Sequence, residues 1–296
     1  MSSILDDTVE VPRRTMTLFF LVDTSKSMEG KKIGAVNESI QEVLPMINDI
    51  SATNPDAEIK VAALLFSCGT SWVYDEPKSA SDFVWQDVSA IGPTPLGEAC
   101  RELNSKLSRN GFMKTASGSY APVIILLSDG DPSDDFESGL AKLKTNNWFK
   151  AAIKIAIAIG DDVKQETLAQ FTGTSESVFP VHSIDALRKM IRIVAVTSSQ
   201  VGSQSSAVGD TSKQDEVNRK IAEAQQEEIS SEKPSSDIGE RGGTDQSSGS
   251  DDSDGSNGSN GSDGSNDSDG SNGSDGSNDS DDTEPTSEPE SYPDWK

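Results

Sequence analysis

Apolar residues recur along the first part of the chain in two alternating rhythms. Met16–Val22 is an unbroken apolar run that stops at Asp23, the pattern of a strand buried on both faces. Between Gly30 and Ile50 the apolar positions Ile33, Val36, Ile40, Val43, Leu44 and Ile47 fall at helical spacing. Pro45 predicts a kink or an early end there. Ile59–Ser67 is the next strand. Ser71–Tyr74 and Phe83–Val88 flank a turn at Asp75-Glu76-Pro77-Lys78 and read as a hairpin or edge strand. Pro95–Ser108 predicts a helix with proline in its first turn. Pro122–Ser128 is a buried strand, and Ser133–Asn147 a helix with Ser133 or Asp134 as its cap. Ala152–Ile159, Val163–Phe171, Val178–Val181 and Ile184–Val196 follow as strand, helix, strand and helix, the last behind a Ser183 cap.

Buried strands alternating with helices predict an α/β fold, a doubly wound and mostly parallel sheet with helices on both faces. Ligands of such sheets bind in the crevice at the carboxyl ends of the strands. The polar residues that close each strand are therefore where function is sought.

Past residue 200 the rhythm fades. Lys213–Glu232 places Val217, Ile221 and Ala224 at helical spacing, a helix marginal on its own. From Ser247 to Asp282 nearly every residue is Gly, Ser, Asn or Asp, the composition of a flexible, self-repelling tether. The expected organisation is an arm over 1–14, a folded domain over 15–200, a polar linker over 201–246 and a disordered acidic tail over 247–296.

Charge sharpens this division. The chain of 296 residues carries a formal net charge of −25. Residues 1–200 hold 19 Lys+Arg against 26 Asp+Glu, and residues 201–296 hold 6 against 24. The second part has too little apolar surface to offset chain entropy. Neither part is basic, so the electrostatic footprint of a nucleic-acid binder is missing, and a negative chain avoids anionic membranes. No apolar run approaches the roughly 18 residues that span a bilayer. The acidic beginning, Met-Ser-Ser-Ile-Leu-Asp-Asp, is unlike a secretory signal, so a cytoplasmic location is expected. Cys68 and Cys100 are then expected as reduced thiols.

Three strand ends carry hard oxygen donors. They are Asp23-Thr24-Ser25-Lys26-Ser27, the loop Gly92-Pro93-Thr94-Pro95-Leu96-Gly97, and Leu127-Ser128-Asp129-Gly130. Two carboxylates and three hydroxyls suit a hard divalent cation such as Mg²⁺ or Mn²⁺, which keeps part of its shell open to other ligands. An open position is a docking point for a carboxylate from another molecule.

Asp23, Ser25, Ser27, Thr94 and Asp129 resemble the metal-ion-dependent adhesion site of von Willebrand factor type A (vWA) domains. More narrowly, Gly92–Ala99 (GPTPLGEA) and Ser128–Asp135 (SDGDPSDD) resemble the bacterial tellurium-resistance TerY-type vWA proteins. The resemblance covers residues 15–200 and none of the tail. It implies Ser25, Ser27 and Thr94 as direct ligands, and Asp23 and Asp129 as ligands bound directly or through water. It also implies a partner protein that presents an Asp or Glu to the metal. In the TerY-type proteins it further implies stress resistance alongside a Ser/Thr kinase and a metal-dependent phosphatase. Lys26 stands where many members have Gly; its side chain is expected in solvent. Lys26, Asp131 and Pro132 are the candidate partner contacts beside the metal.

Simpler roles compete for single residues. Asp131, Asp134 and Asp135 read as capping and solvated charge at a helix start. His182 has no nucleophile motif to serve. The expected function is a non-enzymatic, metal-dependent protein-binding module. One alternative is a Mg²⁺-dependent phosphohydrolase, which would draw a second metal from Asp131 and Asp134. The other is a cell-surface adhesin with the tail as stalk.

Overall fold

Seven strands and seven α-helices make up the described part of the chain, the five parallel strands separated by helical crossovers. The computed structural model describes residues 13–114, 118–161, 163–205 and 212–231. All of them belong to one unit, Met1–Ser236. Most of the expected arm, and the whole of the expected tail over 247–296, lie outside the described residues.

The strands are β1 (Arg14–Asp23), β2 (Ala57–Ser67), β3 (Gly69–Trp72), β4 (Lys78–Ser79), β5 (Val123–Ser128), β6 (Ile153–Ile159) and β7 (Val178–Val181). The helices are α1 (Lys31–Thr53), α2 (Leu96–Lys106), α3 (Phe136–Thr145), α4 (Asn147–Ala151), α5 (Gln165–Thr172), α6 (Ile184–Gly202) and α7 (Lys213–Ser231). The sheet order is β3-β2-β1-β5-β6-β7, with β4 also on β2. β2, β1, β5, β6 and β7 run parallel, while β3 and β4 pair antiparallel with β2. This is the doubly wound sheet that the alternation predicts.

β1 shows why the sheet needs cover on both faces. Met16, Leu18, Phe20 and Val22 point into one core with α1, α6 and α7. Phe19 and Leu21 point into the other, with α2, α3 and α5. Side chains alternate along a strand, so an unbroken apolar run fills two cores at once.

Pro45 does not end α1, which continues to Thr53. Val43, Leu44 and Ile47 are buried around it. Each contributes about 1.5–3 kcal/mol, and together they outweigh the roughly 3 kcal/mol that an interior proline costs.

Phe83–Val88 is not a strand. Phe83 and Trp85 are buried as a strand's inner face would be, but the polar partner is a side chain. The Asn37 amide on α1 donates to Val88 O at 2.9 Å and accepts from Val88 N and Trp85 Nε1, both at 3.1 Å. One amide thus takes over the hydrogen bonding that a neighbouring strand would have provided.

Arg14 stands inside β1 rather than in the arm, and Arg13 donates to the carbonyls of Ser51 and Asn54. At the other end α6 passes residue 200, and α7 lies inside the expected linker. Val217 and Ile221 on α7 are fully buried in the α1/α6 core. Among the described residues no helix is long and apolar enough to cross a membrane.

Candidate metal centre

Asp23 closes β1 with its carboxylate fully buried. Oδ1 accepts from Ser25 N at 2.9 Å, which curls the chain back over the strand end. Oδ2 accepts from Ser128 Oγ at 2.6 Å, a bond from the end of neighbouring β5. Burial pushes the Asp23 carboxyl above its ordinary value; these hydrogen bonds oppose the shift, and nearby Asp129 adds to it. The two charges are thus close enough to act on each other.

The Ser25 and Ser27 hydroxyls lie 3.0 Å apart on the turn that follows. Thr24 fixes that turn to β2, its N and Oγ1 both donating to Phe66 O. The Gly92 loop is tied on by two backbone bonds. Lys26 N donates to Gly92 O at 2.8 Å, and Ile91 N to Thr24 O at 2.7 Å. Gly92 has φ +76°, the left-handed region that favours glycine, and it lies against the Cys68 side chain.

Thr94 is buried at the start of α2. Its carbonyl accepts from Ser133 N at 2.9 Å, which joins its loop to the one after β5. Asp134 completes that joint. Its carboxylate accepts from Gly97 N and Glu98 N, each at 2.8 Å, and from Arg101 at 3.2 Å. The expected cap of α3, Ser133 or Asp134, is instead Asp135, which accepts from Ser138 N. Ser133 and Asp134 are committed to the Thr94 loop and to α2. Gly97 and Gly139 let these helices meet, since a Cβ on Gly139 would lie 2.3 Å from Gly97 O.

Asp129 follows β5. Among the described residues, its Oδ1 is buried without a hydrogen-bond partner. Its Oδ2 lies 3.6 Å from Lys32 Nζ. A buried acceptor left unpaired costs about 1–3 kcal/mol, more when charged. Such an oxygen, on a domain end that also carries the buried Asp23 carboxylate and the Ser25–Ser27 hydroxyl pair, is the donor chemistry that a hard cation takes. The residues present fit a divalent ion.

The neighbours of the site are more exposed. Lys26 reaches solvent, its side chain 72% exposed, and pairs with Glu29 at 2.9 Å. Asp131 is 64% exposed and pairs with Lys164 at 2.6 Å. Pro132 is half-buried. With Asp131 turned to Lys164 and Asp134 to α2, neither joins Asp23 and Asp129. Among the described residues no group of three His, Cys, Asp or Glu side chains forms a metal cluster. His182 sits apart, its Nδ1 2.8 Å from Asp161. Cys100 is buried and Cys68 exposed, both as free thiols.

Two participants escaped the sequence reading. Ser128 was visible within Leu127-Ser128-Asp129, but a serine ending an apolar strand carries no signal of its own. Lys32 carries no signal in the sequence, since lysine at the start of a helix is ordinarily solvated.

Residues 17–193 match the von Willebrand factor type A domain profile. The fold is similar to that of the pilus adhesin SpaC from Lactobacillus rhamnosus GG in its open conformation, at 15% identity over 64% of this chain and 30% of that one, with a TM-score of 0.51. It is also similar to a von Willebrand factor type A structure from Catenulispora acidiphila, at 17% identity over 63% and 43%, TM-score 0.49. A third is proximal thread matrix protein 1 from the mussel byssus with a zinc-occupied MIDAS motif, at 15% identity over 64% and 48%, TM-score 0.47. The chain spans less than half the length of each of these proteins, and at such identities the likeness is one of fold alone. No curated protein matches the sequence.

Proposed function

Because the chain belongs to the von Willebrand factor type A family, we propose that it is a non-enzymatic, metal-dependent protein-binding module. Asp23, Ser25, Ser27, Thr94 and Asp129 would hold Mg²⁺ or Mn²⁺. When bound, the ion supplies a coordination position that a carboxylate oxygen from an Asp or Glu of a partner protein can fill. The observation that carries this reading is Asp129 Oδ1, an acceptor buried without a hydrogen-bond partner among the described residues.

The chain's own residues do the preparation. Ser128 and the Ser25 amide hold Asp23 at one orientation. The Lys26–Gly92 and Ser133–Thr94 bonds hold the loops after β1 and β5 in register with the Gly92–Thr94 loop before α2. A set of donors fixed before binding loses little conformational freedom when it binds. Exposed Lys26, paired with Glu29, can exchange that carboxylate for one from an acidic partner.

The finer reading places the module in the cytoplasm, in a stress-response system with a Ser/Thr kinase and a metal-dependent phosphatase. Its support is the likeness of Gly92–Ala99 and Ser128–Asp135 to TerY-type proteins. A phosphohydrolase would need a second carboxylate cluster, and its two candidates are engaged elsewhere.

Affinity capture from the native host tests the proposal, with full-length chain as bait, in Mg²⁺ and in EDTA. The expected result is a partner retained in Mg²⁺ and lost both in EDTA and with Asp129→Ala bait. A partner held equally under all three conditions overturns the metal bridge.

A further inference from the structure

Lys32 stands in the first turn of α1, where a cation is disfavoured. The exposed amides of a helix N-terminus carry partial positive charge, and no acidic residue in that turn offsets it. The side chain nevertheless stays against the protein. Nζ donates to Ser27 O at 3.2 Å and lies 3.6 Å from Asp129 Oδ2. The tip of the side chain also passes close to Gly160 at the end of β6, where a Cβ would lie 3.2 Å from Nζ and 3.5 Å from Cε. Three loops, those after β1, β5 and β6, thus surround one ammonium group.

The two oxygens of Asp129 are divided. Oδ2 faces Lys32, while Oδ1 is buried without a hydrogen-bond partner among the described residues. Resting on the metal-site reading above, we propose that Lys32 is the resident charge partner of Asp129 and sets how tightly the centre takes a divalent cation. With no ion bound, the ammonium offsets the charge that Asp23 and Asp129 hold near each other. With an ion bound, the same ammonium repels it. Lys32 is a positioning residue: it acts through Asp129 and needs no contact with the ion. The consequence is a centre that keeps its shape without metal and binds metal more weakly than its donor set alone would allow.

The test uses the full chain and three substitutions. Lys32→Met keeps the length of the stem and removes the charge. Lys32→Arg keeps the charge. Asp23→Asn disables the centre and measures ions taken up elsewhere on this acidic chain, which are subtracted. Thermal unfolding is followed in EDTA and at one fixed Mg²⁺ concentration, and Mn²⁺ binding is followed by calorimetry. Lys32→Met is expected to melt below wild type in EDTA, yet to gain more from Mg²⁺ and to bind Mn²⁺ roughly tenfold tighter, the scale of a unit charge near a divalent ion in a largely hydrated site. Lys32→Arg is expected to follow wild type. If Lys32→Met melts lower by the same amount in both conditions with unchanged Mn²⁺ affinity, Lys32 is a structural ion pair and the proposal falls. Weaker Mn²⁺ binding in that variant overturns it as well. If wild type gains no more from Mg²⁺ than Asp23→Asn does, the metal centre itself fails and takes this inference with it.

Discussion

Ser128 Oγ donates to Asp23 Oδ2 at 2.6 Å, joining the ends of β5 and β1 across 105 positions of sequence. Ser128 is also held from the other side, because its Oγ accepts from Gly130 N at 2.9 Å. The hydroxyl therefore links the turn that presents Asp129 to the carboxylate that opens the candidate centre. Ser128→Ala removes a donor from a fully buried carboxylate, a loss of about 1–3 kcal/mol. Urea unfolding in EDTA is expected to show that loss as a lower midpoint with an unchanged slope. Mn²⁺ affinity should fall too, because Asp23 and the Gly130 turn lose their common anchor.

Asp23 illustrates a conflict between stability and binding. Its carboxyl is pushed upward chiefly by burial, which means that the folded domain holds the charge at a cost. Asp23→Asn keeps an oxygen to accept from Ser25 N and offers Ser128 Oγ an amide hydrogen. It is expected to stabilise the metal-free chain by about 0.5–2 kcal/mol, as relief of a destabilised functional site commonly does. The same variant should lose all site-specific stabilisation by Mg²⁺. Melting curves with and without the ion check both halves, and a destabilised metal-free variant would count against the account of Asp23.

Asp134 reads as an ordinary acidic residue at a helix start, but it caps the neighbouring helix. It receives Gly97 N and Glu98 N at the head of α2, directly after Thr94. Asp134→Ala should cost about 1–2 kcal/mol, the upper range for a lost cap. It should also weaken Mn²⁺ binding although Asp134 is not itself a proposed ligand. Asp134→Asn keeps one acceptor and is expected to fall between. An Asp134→Ala chain with wild-type Mn²⁺ affinity would show that the cap does not position Thr94.

The limits of sequence reading follow from the same contacts. β1, β5 and β6 were legible because a strand buried on both faces leaves an uninterrupted apolar run, and their polar ends lie where such a sheet binds ligands. Asp23, Ser25, Ser27 and Asp129 stand at or beside the ends of β1 and β5 for that reason, whereas Thr94 follows no strand and is brought in by the bond from Ser133 N to its carbonyl. Phe83–Val88 was misread because its apolar alternation is real while its hydrogen-bond partner, Asn37, lies on a distant helix. Lys32 was missed because a lysine in a first turn is ordinarily solvated. Only the meeting of three loops gives it a counter-charge.

Cys68 and Cys100 differ in accessibility and should differ in chemistry. Cys100 is buried, and burial pushes its thiol from 9.0 up to about 12. Iodoacetamide at mildly alkaline pH is expected to label exposed Cys68 in the folded chain and Cys100 only after unfolding, as read by mass spectrometry. The shift also has a sign in stability. Below about 9 both states keep the Cys100 proton. Between about 9 and 12 the unfolded chain releases it and the folded chain does not, so folding loses about 1.4 kcal/mol per pH unit from this group. Cys100→Ala should lack that slope, and an identical alkaline profile in both chains would contradict it.

α7 has only a narrow apolar stripe, and alone it would be marginal. Its stability comes from where it docks. Val217 and Ile221 are fully buried in the core that α1 and α6 share. Beside them the Gln214 side chain bonds both backbone groups of Lys154, accepting from its N at 2.8 Å and donating to its O at 3.1 Å. That amide extends the β6 ladder at a residue that β7 does not reach. Truncating a buried isoleucine costs about 2–5 kcal/mol where the site cannot collapse, so Ile221→Ala should lower the denaturation midpoint of the whole domain in one cooperative transition. A cost within ±0.5 kcal/mol, the range of surface substitutions, would mean that α7 is not part of the folding unit. A second, earlier transition would mean that it unfolds separately.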